Sequence, residues 1–95
     1  MTVKILIKRK VPDSQSEALR QLLRQFRGLA IAQSGYVSGE TLKRFDHPGE
    51  NLVISTWKSA DDWHKWFNNP GRKAIQSQID VLLGNVTTYE VYEAD

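Results

Sequence analysis

The alternation of apolar and polar positions along the chain predicts four β-strands. Runs rich in Val, Ile, Thr, Tyr and Trp that alternate with a period of two are typical of strands with one buried face. In the first run, Val3, Ile5 and Ile7 share one side with Arg9. A cluster of turn-forming residues at 46–51 predicts that the second and third strands form a hairpin. The predicted strands span residues 3–11, 36–45, 52–57 and 86–93.

Apolar residues at three- and four-residue spacing predict a first helix over residues 14–31. Its expected start is a capping box, in which the side chains of Ser14 and Glu17 satisfy the first free backbone N–H groups. The broad apolar stripe of this helix predicts that one side of it packs against the sheet.

A second helical arm follows the third strand in two pieces. Ser59 is the expected N-cap of the first piece, which ends at the turn of residues 68–71. The second piece, around residues 74–83, is expected to end at Gly84. The element order is therefore β-α-β-β-α-β. This order predicts an α+β, ferredoxin-like fold with helices on one face of an antiparallel sheet, in a single domain covering residues 1–95.

The third strand carries apolar residues on both of its faces. Leu52 and Ile54 point to one side, and Val53 and Trp57 to the other. In this topology the strand is central. The face of an antiparallel sheet that is not packed against helices normally carries polar residues, because it meets water. We therefore expect another copy of the chain to cover that face, which gives a homodimer through the sheet.

Composition narrows the classes of function. The chain has 95 residues, a net charge of +2 and no cysteine, so it offers no thiolate nucleophile and no cysteine ligands for zinc. Its two histidines, His47 and His64, are far apart in sequence and do not support a metal site. No segment approaches the roughly 20 apolar residues of a membrane span, and the N-terminus lacks a signal-peptide pattern. We expect a cytoplasmic protein with no membrane partner.

The aromatic residues of the second helical arm are the leading candidates for ligand binding. Trp63, Trp66 and Phe67 follow one another at i, i+3 and i+4, which places three rings on one helical face. The same spacing is typical of a packed core, and both interpretations stay open. Trp66 is the first choice, because an indole N–H can donate a hydrogen bond to a quinone or phenol oxygen.

Cationic and polar residues supply the remaining candidates. A positive charge aimed into a cleft can stabilise an enolate or a peroxide-like anion, and neutral polar groups can hydrogen-bond a ligand. Long cations at the ends of strands and helices are more often surface residues. Lys8 joins Trp66 as a candidate for catalysis. The other candidate ligand-binding residues are Tyr36, Arg44, Arg72, Gln76 and Tyr89.

Three tryptophans and a glycine–aromatic pair form a specific pattern. Trp57 ends the third strand, K-S-x-x-x-W-x-x-W follows over residues 58–66, and Gly35-Tyr36 begins the second strand. With the element order, which extends from Val3 to Tyr92, this pattern resembles the antibiotic biosynthesis monooxygenase family of the dimeric α/β barrel superfamily. The resemblance implies a homodimer with a ligand pocket between the sheet and the helices.

The resemblance also implies an activity. Some members oxygenate polyketide-like aromatic substrates with no metal or flavin, which implies a cofactor-independent monooxygenase that takes a small aromatic or quinone-type molecule and O₂. A heme-degrading branch uses an asparagine in strand one, a tryptophan in helix two and a heme-ligating histidine ten residues later. Trp66 matches the tryptophan, but the histidine position falls on Gln76 and the asparagine position falls at or beside Lys8. Glutamine is a poor iron ligand, so heme degradation is disfavoured and no cofactor is expected.

Two other classes of function are compatible with the same element order. The sequence has no strong catalytic constellation, so a non-catalytic dimer that binds a small ligand stays open as the alternative. RNA-recognition domains share the order, but the third strand, LVISTW, lacks their basic–glycine–aromatic pattern. We therefore expect no nucleic-acid partner.

Overall fold

The computed structural model describes residues 1–94 and has one antiparallel sheet with helices packed on one face. The elements are β1 (Val3–Lys10), a 3₁₀ turn (Asp13–Gln15), α1 (Ser16–Ile31), β2 (Tyr36–Lys43), β3 (Glu50–Trp57), α2 (Ala60–Phe67), α3 (Pro70–Leu83) and β4 (Thr88–Glu93). The strand order is β2-β3-β1-β4, so β1 and β3 are central and β2 and β3 form the expected hairpin. The predicted α+β, ferredoxin-like fold is confirmed.

The alternation along β1 separates the two faces of the sheet. Val3, Ile5 and Ile7 are buried under the helices, where they pack with Trp57 of β3. Arg9 continues the same side of the strand and is only 4% exposed. The period-two pattern of β1 therefore carries a guanidinium group, together with three apolar side chains, into the layer beneath the helices.

The start of α2 and the end of α3 agree with the sequence patterns. The Ser59 hydroxyl oxygen accepts from the backbone N–H of Asp62 at 3.1 Å, and the same hydroxyl donates to the Asp62 carboxylate at 2.9 Å. Gly84 follows α3 in the left-handed conformation, with φ of 68°, as a C-terminal glycine is expected to do. Among the described helices, none is long and apolar enough to cross a membrane.

The predicted capping box of α1 is wrong. Ser14 lies inside the 3₁₀ turn, and the α-helix begins two residues later with Gln15 at the N-cap and no side-chain cap. Pro12 is extended, and the N–H of Gln15 donates to its carbonyl at 2.9 Å, which closes the 3₁₀ turn. This turn places the Ser14 side chain ahead of the helix, where its hydroxyl cannot cap the first turn.

Other boundaries also differ from the predicted ones. Residues 68–71 are more than a turn, because Asn69 caps α3 by accepting from the N–H of Arg72 at 3.0 Å and Pro70 takes the first helical position. The helix therefore begins at Pro70, ahead of the predicted stretch. At the other end of the chain, Val86 lies outside β4 and is 79% exposed.

The face of the sheet opposite the helices, here called the open face, is not covered by any element of residues 1–94. The pairing of the strands places Leu52 and Ile54 on it, as predicted, while Val53 and Trp57 face the helices. Leu6 lies beside Ile54 and Leu42 beside Leu52, so four apolar side chains occupy the middle of this face.

The two serines provide a matched test of the helix starts. Replacement of an N-cap serine by alanine costs about 1 kcal/mol, because a backbone N–H loses its acceptor. We expect Ser59→Ala to lower the free energy of unfolding in urea by about that amount, and Ser14→Ala to change it by less than about 0.5 kcal/mol. Equal losses in the two variants would contradict the assignment of the caps.

Candidate functional site

A cleft of about 80 Å³ lies between α1 and the helix-facing side of the sheet, and is here called the inner cleft. Strands β1, β2 and β3 form its floor, and α1 and α2 form its roof. Its apolar lining comes from Ile7, Leu23, Phe26, Ala30, Val53 and Trp66. Exposed residues of α1 and β2 border its mouth, so the cleft communicates with solvent. A concave, mostly apolar surface with a few polar groups is typical of a small-molecule site.

Trp66 borders the inner cleft and is held in place by other rings. It is 6% exposed, its ring stacks on Trp57 with centroids 5.9 Å apart, and Phe26 of α1 packs against it at 5.5 Å. The indole N–H of Trp57 donates to the Ser55 hydroxyl at 2.8 Å. The indole N–H of Trp66 has no acceptor within residues 1–94 and is not fully buried, so it can donate to a bound molecule.

Tyr36 also borders the inner cleft, at the start of β2. Its ring meets Trp57 edge-on at 5.5 Å, and its hydroxyl lies over Gly39. A Cβ atom at position 39 would be 2.8 Å from that hydroxyl oxygen, which explains the glycine in this strand. The pairing of β2 with β3 also shifts register between Tyr36 and Ser38, so the strand contains a bulge.

Arg9 brings a charge to the floor of the inner cleft. Its guanidinium makes no hydrogen bond within residues 1–94, and its Nε is fully buried without a partner. Burial lowers the pKa of this guanidinium, and the nearby Arg72 lowers it further, while Tyr89 and Asp80 partly offset these effects. Arg9 is therefore a largely buried cation with no direct partner in the described chain.

Arg72 lies behind Arg9, at the first turn of α3, and is 3% exposed. Its guanidinium donates to the carbonyl oxygen of Phe67 at 3.1 Å and to the hydroxyl of Tyr89, and it lies over the Phe67 ring at 4.6 Å. Its Nε is buried without a partner. Burial lowers the pKa of Arg72, partly offset by Tyr89. Arg72 is thus better satisfied than Arg9, through neutral oxygen acceptors and aromatic faces.

Neutral polar groups complete this region. Burial raises the pKa of Tyr89 in spite of the opposing attraction of Arg72 and Arg9, so its hydroxyl is neutral at pH 7. Gln76 donates to Asp80 and Thr87, at 2.9 Å each, and its side-chain oxygen is buried without a partner. We call these six residues the buried polar cluster: Arg9, Arg72, Gln76, Asp80, Thr87 and Tyr89. Among them, Arg9 is the one that borders the inner cleft.

The structure brings some predicted residues to the inner cleft and leaves others away from it. Trp66 and Tyr36 border it. Arg72 and Gln76 of α3 and Tyr89 of β4 do not border it and belong to the buried polar cluster. Trp63 is buried between Trp57, at 6.2 Å, and Phe67, at 5.6 Å, and neither Trp63 nor Phe67 borders the cleft. For Trp63, which is 3% exposed, the core interpretation describes the observed packing. Phe67 is 36% exposed and packs against Trp63 and Tyr89 at the edge of the core.

Lys8 and Arg44 do not reach the inner cleft. Lys8 follows Ile7 on β1 and therefore faces the open side of the sheet, where its ammonium pairs with Glu90 at 3.2 Å. Arg44 lies at the hairpin and pairs with Asp46 at 2.8 Å and Glu50 at 2.9 Å. Strand alternation and the hairpin direct these two cations away from the inner cleft.

Arg9 and Phe26 are among the residues of the cleft that sequence reasoning missed. The signal for Arg9 was present, since an arginine in phase with Val3, Ile5 and Ile7 must share their buried side. Phe26 belongs to the apolar stripe of α1, and nothing in the stripe distinguishes it from its neighbours. In the part of the chain that is described, no group of three His, Cys, Asp or Glu side chains is arranged to hold a metal ion.

The fold and the cleft define a small α+β binding scaffold, and comparison of the sequence with protein families identifies its class. Residues 2–78 match the antibiotic biosynthesis monooxygenase family. The match spans most of the chain, so the protein belongs to this family, as the tryptophan pattern predicted. A search of curated proteins found no match.

Solved structures share the fold at low sequence identity. A conserved protein from Methanosarcina mazei Go1 superposes with a TM-score of 0.91 at 13% identity, covering 100% of this chain and 94% of that chain. Rv0793 from Mycobacterium tuberculosis gives 0.86 at 19%, covering 100% and 96%. SnoaB, a cofactor-independent oxygenase from Streptomyces nogalater, gives 0.85 at 16%, covering 99% and 93%. At these identities the likeness is one of fold.

Proposed function

We propose that the protein is a cofactor-independent monooxygenase that oxidises a small aromatic or quinone-type molecule in the inner cleft. The observation that carries the proposal is the Trp66 ring at the cleft, with its indole N–H available, in a chain of the antibiotic biosynthesis monooxygenase family. The likeness of the fold to SnoaB, described as a cofactor-independent oxygenase, supports the same reaction class.

In the proposed reaction, a substrate CH₂ group activated by an adjacent carbonyl or ring loses a proton, and the resulting carbanion reduces O₂. One oxygen atom ends in a new carbonyl group and the other leaves as water, so R₂CH₂ and O₂ give R₂C=O and H₂O. A hydroquinone is oxygenated at a ring C–H group with the same balance, so C₆H₆O₂ and O₂ give a hydroxyquinone, C₆H₄O₃, and H₂O. The substrate supplies all of the electrons. The protein would contribute orientation of the ring against Trp66, an N–H donor for a substrate oxygen, and exclusion of water from the intermediate.

The size of the inner cleft favours a small substrate or a small reactive end. Its volume of about 80 Å³ is well above what one water needs and below the roughly 300–1,000 Å³ of most ligand pockets. A single ring can lie between Trp66 and the floor, and a larger molecule must extend through the mouth between α1 and β2. We therefore propose that the reacting ring enters first.

Oxygen uptake tests the proposal. With anthrone and single-ring hydroquinones as a substrate panel, we expect the protein to consume O₂ faster than buffer does. Trp66→Phe should lower kcat/KM about tenfold, because it removes a hydrogen bond of about 1.4 kcal/mol while keeping a ring. Trp63→Phe is the matched control, since this indole lies behind the cleft, and it should stay within about threefold of the wild type.

Uptake no faster than in buffer across the panel would contradict the monooxygenase proposal. Binding without turnover would then favour the alternative, a ligand-binding protein of the same fold. Equal losses in the two tryptophan variants would contradict the assignment of Trp66 to the substrate.

We also propose that the protein forms a homodimer through the open face. Leu6, Leu42, Leu52 and Ile54 form an apolar centre that a lone subunit leaves in contact with water. Self-association through a shared apolar patch would bury these side chains around a twofold axis. A cytoplasmic location stays a prediction from composition.

Light scattering coupled to size-exclusion chromatography tests the dimer. We expect a molar mass of twice the 10.9 kDa of one chain at micromolar concentration. Ile54→Glu should produce monomers, because it places a charge in the middle of the apolar patch. Val81→Glu is the matched control, since Val81 is 81% exposed on α3, and it should leave the dimer intact. A monomeric wild type, or a dimeric Ile54→Glu variant, would contradict the proposal.

A further inference from the structure

The buried polar cluster has an excess of positive charge. It contains two guanidinium groups, of Arg9 and Arg72, and one carboxylate, of Asp80. No carboxylate oxygen of residues 1–94 lies within 4.0 Å of either guanidinium. The Asp80 carboxylate instead accepts from Gln76 at 2.9 Å and from Thr87 at 3.4 Å. The charge of Arg9 is therefore not neutralised by an ion pair in the described chain.

An unpaired buried cation is costly to the folded protein. Removing an ion from water costs several kcal/mol after relaxation, and a partner normally repays this cost. Arg72 finds two oxygen acceptors and an aromatic face, whereas Arg9 has none of these and is also repelled by Arg72.

Arg9 is also the member of the cluster that borders the inner cleft, on the floor opposite the roof that carries Phe26 and Trp66. A molecule in the cleft thus has aromatic rings on one side and a partly desolvated guanidinium on another. Arg27, an exposed residue at the mouth, adds a second positive charge. Glu40 also borders the mouth, but its pairing with Ile54 assigns its side chain to the open face.

We propose that Arg9 is the anion-binding residue of the inner cleft, and that the ligand is an aromatic molecule with an ionised oxygen, a phenolate or an enolate. The inference rests on the proposed function, which requires an aromatic molecule in this cleft, and it names the ionic form that is bound. The ligand O–H proton passes to bulk water on binding. Because an opposite charge in a desolvated site favours the ionised form, the protein should bind the anion more tightly than the neutral molecule.

The test uses 4-nitrophenol, whose anion is yellow and whose neutral form is colourless. At a pH near the pKa of the free phenol, excess wild-type protein should increase the yellow absorbance, because it binds the phenolate about tenfold or more tightly than the phenol. Arg9→Met should lose this increase. Arg24→Met is the matched control, since it removes the same charge from an exposed position of α1, and it should behave as the wild type.

A second probe separates this inference from the proposed function. 4-Nitroanisole cannot ionise, and its binding is followed by quenching of the tryptophans around the cleft. We expect wild type and Arg9→Met to bind it with affinities within about threefold of each other. If circular dichroism shows that Arg9→Met does not fold, Arg9→Gln, which is neutral but polar, replaces it in the comparisons with the wild type.

If 4-nitroanisole binds to the wild type but 4-nitrophenol gives no increase in colour, the anion preference is wrong and the aromatic cleft stands. If the Arg9 variants increase the colour as the wild type does, Arg9 is not the anion-binding residue. If neither nitroaromatic quenches the wild type, both the inference and the proposed use of the inner cleft are overturned.

Discussion

The period-two alternation of β1 is the constraint from which the candidate site follows. It directs Val3, Ile5 and Ile7 toward the helices, where Trp57 and Trp66 pack on them, and it carries Arg9 into the same layer. A shift of one residue would exchange the two faces and expose the apolar side chains, so the helix packing holds the register. The burial of Arg9 is thus a consequence of the same packing that forms the core.

The two faces of the sheet carry different chemistry. Beneath the helices, an aromatic wall and a desolvated guanidinium border the inner cleft, which suits a small aromatic anion. On the open face, Leu52 and Ile54 form an apolar centre, and Lys8 pairs with Glu90 near the edge. In these proposals, the central strands β1 and β3 would serve a ligand site with one face and self-association with the other, so the two roles would not compete for the same side chains.

Much of the fold could be predicted because its signals are local. Residues within a few positions of one another determine the N-cap at Ser59, the end of α3 at Gly84 and the hairpin between β2 and β3. Ser14 was wrongly predicted to be the N-cap of α1, because the 3₁₀ turn after Pro12 contains Ser14 and the helix begins only at Ser16. The site was harder to predict, because Phe26, Arg9 and Trp66 meet only through the packing of α1 and α2 on the sheet. Lys8 and Arg9 are the exception, because strand alternation alone places these adjacent cations on opposite faces of the sheet.

The central claim is that Arg9 is buried without a partner of its own and is reserved for a ligand. The most direct test is the free energy of unfolding of Arg9→Met against the wild type, in urea at pH 7, without ligand and at equal protein concentration. We predict a variant at least as stable as the wild type, because an apolar side chain replaces an uncompensated charge. A loss of about 3–5 kcal/mol, as expected when a buried ion pair is broken, would contradict the account.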